Sequence, residues 1–209
     1  MKQILTNVLL LAFILSLTGC ATRYRLINPT ELNYPANSLD DGIQLSVKYD
    51  VLRSNSNRRY ARKEQKRGIK VIAVKVTNLT DSVLHVGRDL TFYVGDQPML
   101  MMDPNEVAST VKQSTLAYLP YMLLSFLKLD YMIITPTEYI TGQLDIGYVL
   151  GPGITAGNML KAHSANKKFR RELLDYDIID RSIQKGESIY GIIAFRSYDY
   201  LPVSVKINK

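Results

Sequence analysis

Residues 43 to 51 alternate without interruption. Ile43, Leu45, Val47, Tyr49 and Val51 share one side, and Gln44, Ser46, Lys48 and Asp50 the other. Period two with one polar side predicts an antiparallel strand that faces water on one face. "IKVIAVKVTN", residues 69 to 78, predicts a second strand rich in β-branched residues. Asn78-Leu79-Thr80-Asp81 is turn material, short strands are expected at about 83–86 and 90–94, and Gly95-Asp96-Gln97-Pro98 ends that run. Near the C-terminus a Lys185-Gly186-Glu187 turn precedes the apolar run Ile189 to Phe195. In "LPVSVKIN", Val203, Val205 and Ile207 alternate again.

Between these strand regions the period changes. Asp103-Pro104-Asn105-Glu106 has the form of a helix start, with an acidic N-cap, proline at the first helical position and glutamate three residues on. Residues 113 to 127 carry no charge, which is too short for a membrane-spanning helix, and Pro120 interrupts them. A strand pair is expected within 138–150. A helix from about Thr155 to Tyr176 follows from Met159, Ala162, Asn166, Phe169, Leu173 and Tyr176, which recur at three- and four-residue steps. Gly147, Gly151, Gly153 and Gly157 put small residues at close-packing positions beside this uncharged region. Two readings of the region stay open: a tightly packed core, or a surface that docks on a partner or dips into a membrane.

The first twenty residues follow another logic. Lys2 supplies a positive start, residues 4 to 17 are apolar apart from Thr6, Asn7 and Ser16, and the run stops at Leu17-Thr18-Gly19-Cys20. This is the layout of a secretory signal peptide. The four residues resemble the lipobox of bacterial lipoproteins. That resemblance implies cleavage before Cys20, diacylglycerol on its thiol and an N-acyl chain on its amine, and so attachment to a membrane in the cell envelope. Ala21, following the cysteine in place of Asp, implies by the same resemblance the outer rather than the inner membrane. Cys20 is the only cysteine, so no disulfide can form within the chain. Residues 1–19 read as the signal and 20–41, with two prolines and no periodicity, as a lipidated tether. Residues 42–209 read as one domain with a helical insert at about 103–176.

The formal charge is +7, and +6 once the signal and its single lysine are removed. It is concentrated. Arg58, Arg59, Arg62, Lys63, Lys66 and Arg67 crowd a segment expected to be a loop between strands, and Lys161, Lys167, Lys168, Arg170 and Arg171 lie on the predicted helix. Solvated faces explain both, and contact with anionic lipid is the sharper alternative. No nucleic-acid-binding signature accompanies them, so no nucleic-acid partner is expected.

A second resemblance rests on "VIAVKVTNLTDSVLHV…LTFYV" followed by "IQKGESIYGIIAFRS…LPVSVKI", and in particular on Val76-Thr77-Asn78, Gly186-Glu187, Gly191 and Phe195. These strings are similar to bacterial lipoproteins with an immunoglobulin-like domain, a group largely of unknown function. The fold class expected is therefore mainly β with α: an immunoglobulin-like antiparallel β-sandwich carrying a central helical insert.

Catalytic constellations are thin. His85 and His163 are isolated, and Asp175, Asp177 and Asp180 lack the glycine and terminal glutamate of a calcium loop, so no metal is expected. "GPGITA" at 151–156 fits G-x-G-x-x-A formally, read as a loop entering a helix, but Pro152 occupies the tight turn. The expectation is a non-catalytic lipoprotein, without cofactor beyond its lipid, that docks on an envelope protein or the membrane surface. The contact candidates are the basic residues 58–67 named above with Leu116, Tyr118, Leu119, Tyr121, Met122, Leu123, Leu124 and Phe126. The alternative is a small-ligand or glycan-binding module using tyrosines such as Tyr198 and Tyr200.

Overall fold

The computed structural model describes residues 20–199 and 201–208; Leu17, Thr18 and Gly19 of the expected lipobox lie outside them, as does Tyr200. The described residues are mixed α/β, with about 31% strand in several antiparallel sheets, and four α-helices. It divides into two units, one of residues 24–112 and 165–209, the other of residues up to 23 with 113–164.

In the first unit the alternating strings form the expected strands. A four-stranded antiparallel sheet has the order β1 (Ala36–Asp40), β2 (Ile43–Lys48), β3 (Ile69–Asn78), β10 (Ser188–Arg196). A second sheet has the order β11 (Val203–Ile207), β5 (Leu90–Val94), β6 (Gln97–Pro98), and β4 (Leu84–His85) pairs with β9 (Ser182–Ile183). Ile43, Leu45 and Val47 point into a core shared with Ile72, Val74, Val76, Ile193 and Phe195 of the same sheet and Phe92, Val203 and Val205 of the other. The two sheets thus face each other over one apolar layer. The strand predicted to run to Val51 stops earlier, because Asp50 adopts a left-handed backbone (φ 52°) and Val51–Ser54 turns into the short helix α1.

The opposite side of β3 is also apolar, which explains its nearly continuous burial. Ile69, Val71 and Ala73, with Ile192 and Ala194 of β10, meet α1, α2 (Arg58–Lys66), α3 (Pro104–Val111) and residues 165–173 of the long helix α4 (Gly147–Asp175). The basic segment is therefore a helix and not a loop: it turns Tyr60, Ala61 and Glu64 inward and its cations outward. Asp103 caps α3 as expected, accepting from the N–H groups of Asn105 and Glu106 at 2.8 and 3.1 Å.

Residues 21–41 do not behave as a tether. Tyr24 and Ile27 are core residues, and Glu172 on α4 is the reason. Its buried carboxylate accepts from the Tyr24 hydroxyl at 2.5 Å and from the Ile27 and Asn28 N–H groups at 2.7 and 2.9 Å. Asn57 exchanges two bonds with the Arg25 backbone, and β1 then pairs with β2 along its whole length.

The second unit holds a 3₁₀ segment (Leu116–Phe126), the hairpin β7 (Leu129–Ile134) and β8 (Tyr139–Leu144), and residues 147–164 of α4. The hairpin begins nine residues before the strand pair expected at 138–150, and the helix begins eight residues before Thr155. "GPGITA" lies inside that helix, so it forms no loop. The glycines separate by role. A Cβ on Gly147 would overlap the backbone of Leu124, Ser125 and Leu127, and one on Gly151 would overlap Ser125, whereas Gly153 and Gly157 face open space. Two glycines therefore serve close packing of α4 on the 3₁₀ segment, and the other two leave the helix surface bare. Gly151→Val is expected to lower stability by about 1–3 kcal/mol through overpacking. Gly153→Ala should be neutral or stabilising by up to ~1 kcal/mol, since alanine is the better helix former. Urea unfolding of both variants checks the split, and equal midpoints would contradict it.

Candidate functional site

The 3₁₀ segment sorts its own side chains. With three residues per turn, positions three apart stack in columns. Tyr118, Tyr121 and Leu124 form the inner column and build a small core with Ala21 and Ala162. These three contact candidates are thereby corrected to core residues. The two outer columns contain Leu116, Leu119 and Met122, and then Leu123 and Phe126, all exposed. The segment is apolar on every side, yet only one third of it is covered.

The hairpin continues this exposure. Its register pairs Leu129 with Leu144, Tyr131 with Gly142 and Ile133 with Ile140, which makes one face wholly apolar. The other face carries the pairs Asp130–Gln143, Met132–Thr141 and Ile134–Tyr139. Its polar members sit at the end away from the turn, where Lys128 lies 3.4 Å from Asp145 and Gln143 donates to Asp130 at 2.8 Å. Toward the turn both faces are apolar. Eighteen of the twenty-six exposed large hydrophobic side chains among the described residues fall within 113–164, including Tyr148, Val149, Leu150, Ile154 and Leu160 of α4. Isolated exposed apolar residues need no explanation; this concentration does.

Cys20 is exposed, and the chain is fixed immediately after it. Ala21 is 1% exposed and its N–H donates to Asn158 Oδ1 at 2.7 Å. Asn158 in turn donates to the Ile154 carbonyl one helical turn earlier. Thr22 exchanges bonds with Gln113, whose Nε2 donates to the Thr22 carbonyl at 2.9 Å and whose Oε1 accepts from the Thr22 N–H. Asn158 and Gln113 carried no signal in the sequence, because single amides in apolar surroundings resemble any surface polar residue until their partners are known.

In the other unit the cations of α2 divide. Arg58, Arg62, Lys66 and Arg67 are exposed, and Arg59 and Lys63 are half-buried. Partial burial, followed by the charges of Arg67, Lys112 and Lys66, holds Lys63 below the ordinary lysine value. On the inner side, Glu64 is almost fully buried and accepts the Val71 N–H at 2.7 Å. Burial pushes its carboxyl up to about 7. Asp50 adds to the rise, and the Val71 bond, Lys70 and Arg53 oppose it. Asp50, Arg53, Gln65 and Lys70 line a cavity of about 170 Å³ beside Glu64, with the exposed Tyr198 at its edge. A wider groove of about 790 Å³ runs past Asp96, Leu100, Met101, Asp103, Glu106 and Arg196. The basic residues of α4, from Lys161 to Arg171, are exposed.

Among the described residues no three His, Cys, Asp or Glu side chains gather as metal ligands, and no helix is long and apolar enough to cross a membrane. No family model, curated protein or solved structure matches the chain at a significant level.

Glu64 gives the first unit a pH dependence of fixed sign. The unfolded chain releases this proton near pH 4.5, while the folded chain holds it to about 7. Stability contributed by this group is therefore flat below pH 4.5, falls as pH rises from 4.5 to 7, and is flat above, by at most on the order of 3 kcal/mol. Glu64→Gln is expected to remove that slope in urea midpoints measured across the range. An identical slope in both proteins would contradict the assignment.

Proposed function

We propose that this chain is a non-catalytic lipoprotein of a bacterial envelope, acylated at Cys20 with diacylglycerol and an N-acyl chain, and held in the outer membrane. Its 113–164 unit is the docking surface for another component of that envelope. The observation that carries this reading is the concentration of exposed apolar side chains in one short stretch, within the unit that also contains Cys20. A water-facing protein has no use for an apolar 3₁₀ segment and an apolar hairpin side by side. The lipobox resemblance supplies the address.

The fold belongs to the same proposal: an immunoglobulin-like sandwich whose insert begins at α3 and returns through α4. Two facing sheets support it, and so do the turns that carry the resemblance. Asn78 donates its N–H to the Glu187 carbonyl and accepts from Gly186 N–H at its own carbonyl, so the two turns meet. Asn78 also bonds the Ser82 and Ile183 carbonyls through its side chain.

A second reading, binding of a small ligand or glycan, is favoured by one place. The exposed Tyr198 ring lies over Gly68 beside the cavity lined by Asp50, Arg53, Gln65 and Lys70, an aromatic platform next to hydrogen-bonding groups.

Metabolic labelling with an alkyne fatty acid tests the main reading. Label is expected on the intact protein, which should fractionate with outer membranes, and the label should be lost in Cys20→Ala. An unlabelled wild-type protein in the soluble fraction would overturn it.

A further inference from the structure

An ordinary lipid anchor leaves a flexible stretch between the acylated cysteine and the first folded residue, so the domain floats above the bilayer. This chain has no such stretch. Ala21, the residue after Cys20, is buried against Tyr118, Tyr121, Leu124 and Ala162, and both of its neighbouring anchors are side chains of the same unit, Asn158 and Gln113. Consecutive Cα atoms are about 3.8 Å apart. Acyl chains on Cys20 would therefore leave the protein at its surface, within one residue of a core built from the 3₁₀ segment and α4. The bilayer that receives those chains must come as close.

The surface of that unit is suited to it. Residues 113–164 contain only Lys128, Asp130, Glu138, Asp145 and Lys161 as charges, and Lys128 is paired with Asp145. Exposed Tyr131, Tyr139 and Tyr148 offer the amphipathic rings that settle at headgroup level. The six-residue strands are too short to span a bilayer, and a two-stranded sheet has open edges that cannot be placed in hydrocarbon. An interfacial position satisfies both limits.

We propose that this unit is seated in the headgroup layer of the membrane that holds the Cys20 acyl chains, with Leu119, Met122, Leu123, Phe126 and Tyr148 dipping toward the hydrocarbon. The inference rests on the lipoprotein reading and deepens it: the component on which the unit docks is the bilayer itself, and the protein is a monotopic membrane protein rather than a tethered one.

The processed lipoprotein, purified from membranes, is the material for the test. Acylation blocks its one native thiol, so a cysteine introduced as Phe126→Cys or Tyr148→Cys takes a single NBD fluorophore. Both positions are largely exposed, and circular dichroism identifies folded variants. In vesicles of phosphatidylethanolamine and phosphatidylglycerol, NBD at both sites is expected to be quenched several-fold by lipid-borne nitroxide and shielded from aqueous iodide. Quenching by iodide alone, on protein whose intact mass includes the acyl chains, would overturn the seating. It would leave the anchor standing and direct the search to a protein partner. An intact mass with unmodified Cys20 would overturn both readings.

Discussion

The bonds that hold residues 21 to 28 are the constraint on which the rest depends. Left alone, this stretch would be a linker, since it has no period and few apolar residues. Its partners are distant in sequence: Asn57 holds Arg25, and Gln113, Asn158 and Glu172 lie more than ninety residues downstream. A carboxylate that accepts three hydrogen bonds in a buried setting is costly to leave unpaired, and so are the backbone N–H groups it serves. Each side requires the other. Burial, and then the neighbouring Glu172, hold the Tyr24 hydroxyl far above its ordinary value, so it stays protonated and donates. Tyr24, Tyr60 and Phe169 then pack with ring centroids 4.8 to 5.2 Å apart. With Ala21 and Thr22 held by Asn158 and Gln113, the lipid proposed for Cys20 would lie against the 113–164 unit.

The same economy of covering explains why the two units differ. In one, β3 is covered on both faces, by helices on one side and a second sheet on the other, and the exposed large hydrophobic residues are scattered along the chain. In the other, three thin elements share one small core and leave most of their apolar atoms outside. A two-stranded hairpin exposed on both faces has little stability in water by itself. Such a unit gains from an apolar partner, and in the proposal made above the bilayer that takes the Cys20 acyl chains is that partner.

Legibility from sequence followed locality. The strands at 43–48 and 203–207 could be read from alternation and those at 69–78 and 188–196 from β-branched, apolar runs, all local signals, with turns that carry glycine or asparagine; Gly186 does adopt φ +74°. The α3 cap was legible for the same reason. The helix α2 was missed because only Tyr60 and Ala61 are apolar on its inner face, so no hydrophobic stripe announces it. The signal available was propensity, in the run of Arg, Ala, Lys, Glu and Gln. The exposed residues of 116–126 could be suspected but not separated from the buried ones, because nearly every residue of the segment is apolar and its pattern does not distinguish the inner column from the outer two. Glu172 was invisible, since a glutamate among lysines and arginines on a helix reads as solvated. Nothing nearby announces that two backbone amides a hundred and forty residues earlier need it.

Amide hydrogen exchange across residues 21 to 28 tests the central claim most directly. Ala21, Ile27 and Asn28 donate their N–H groups to buried or partly buried acceptors and are expected to exchange orders of magnitude more slowly than an unstructured linker, with Asn158→Ala releasing Ala21 and Glu172→Ala releasing Ile27 and Asn28. Exchange at unstructured rates across residues 21 to 28 in the unaltered protein would mean that Cys20 adjoins a flexible stretch after all, and that the fold would not set where the proposed lipid lies.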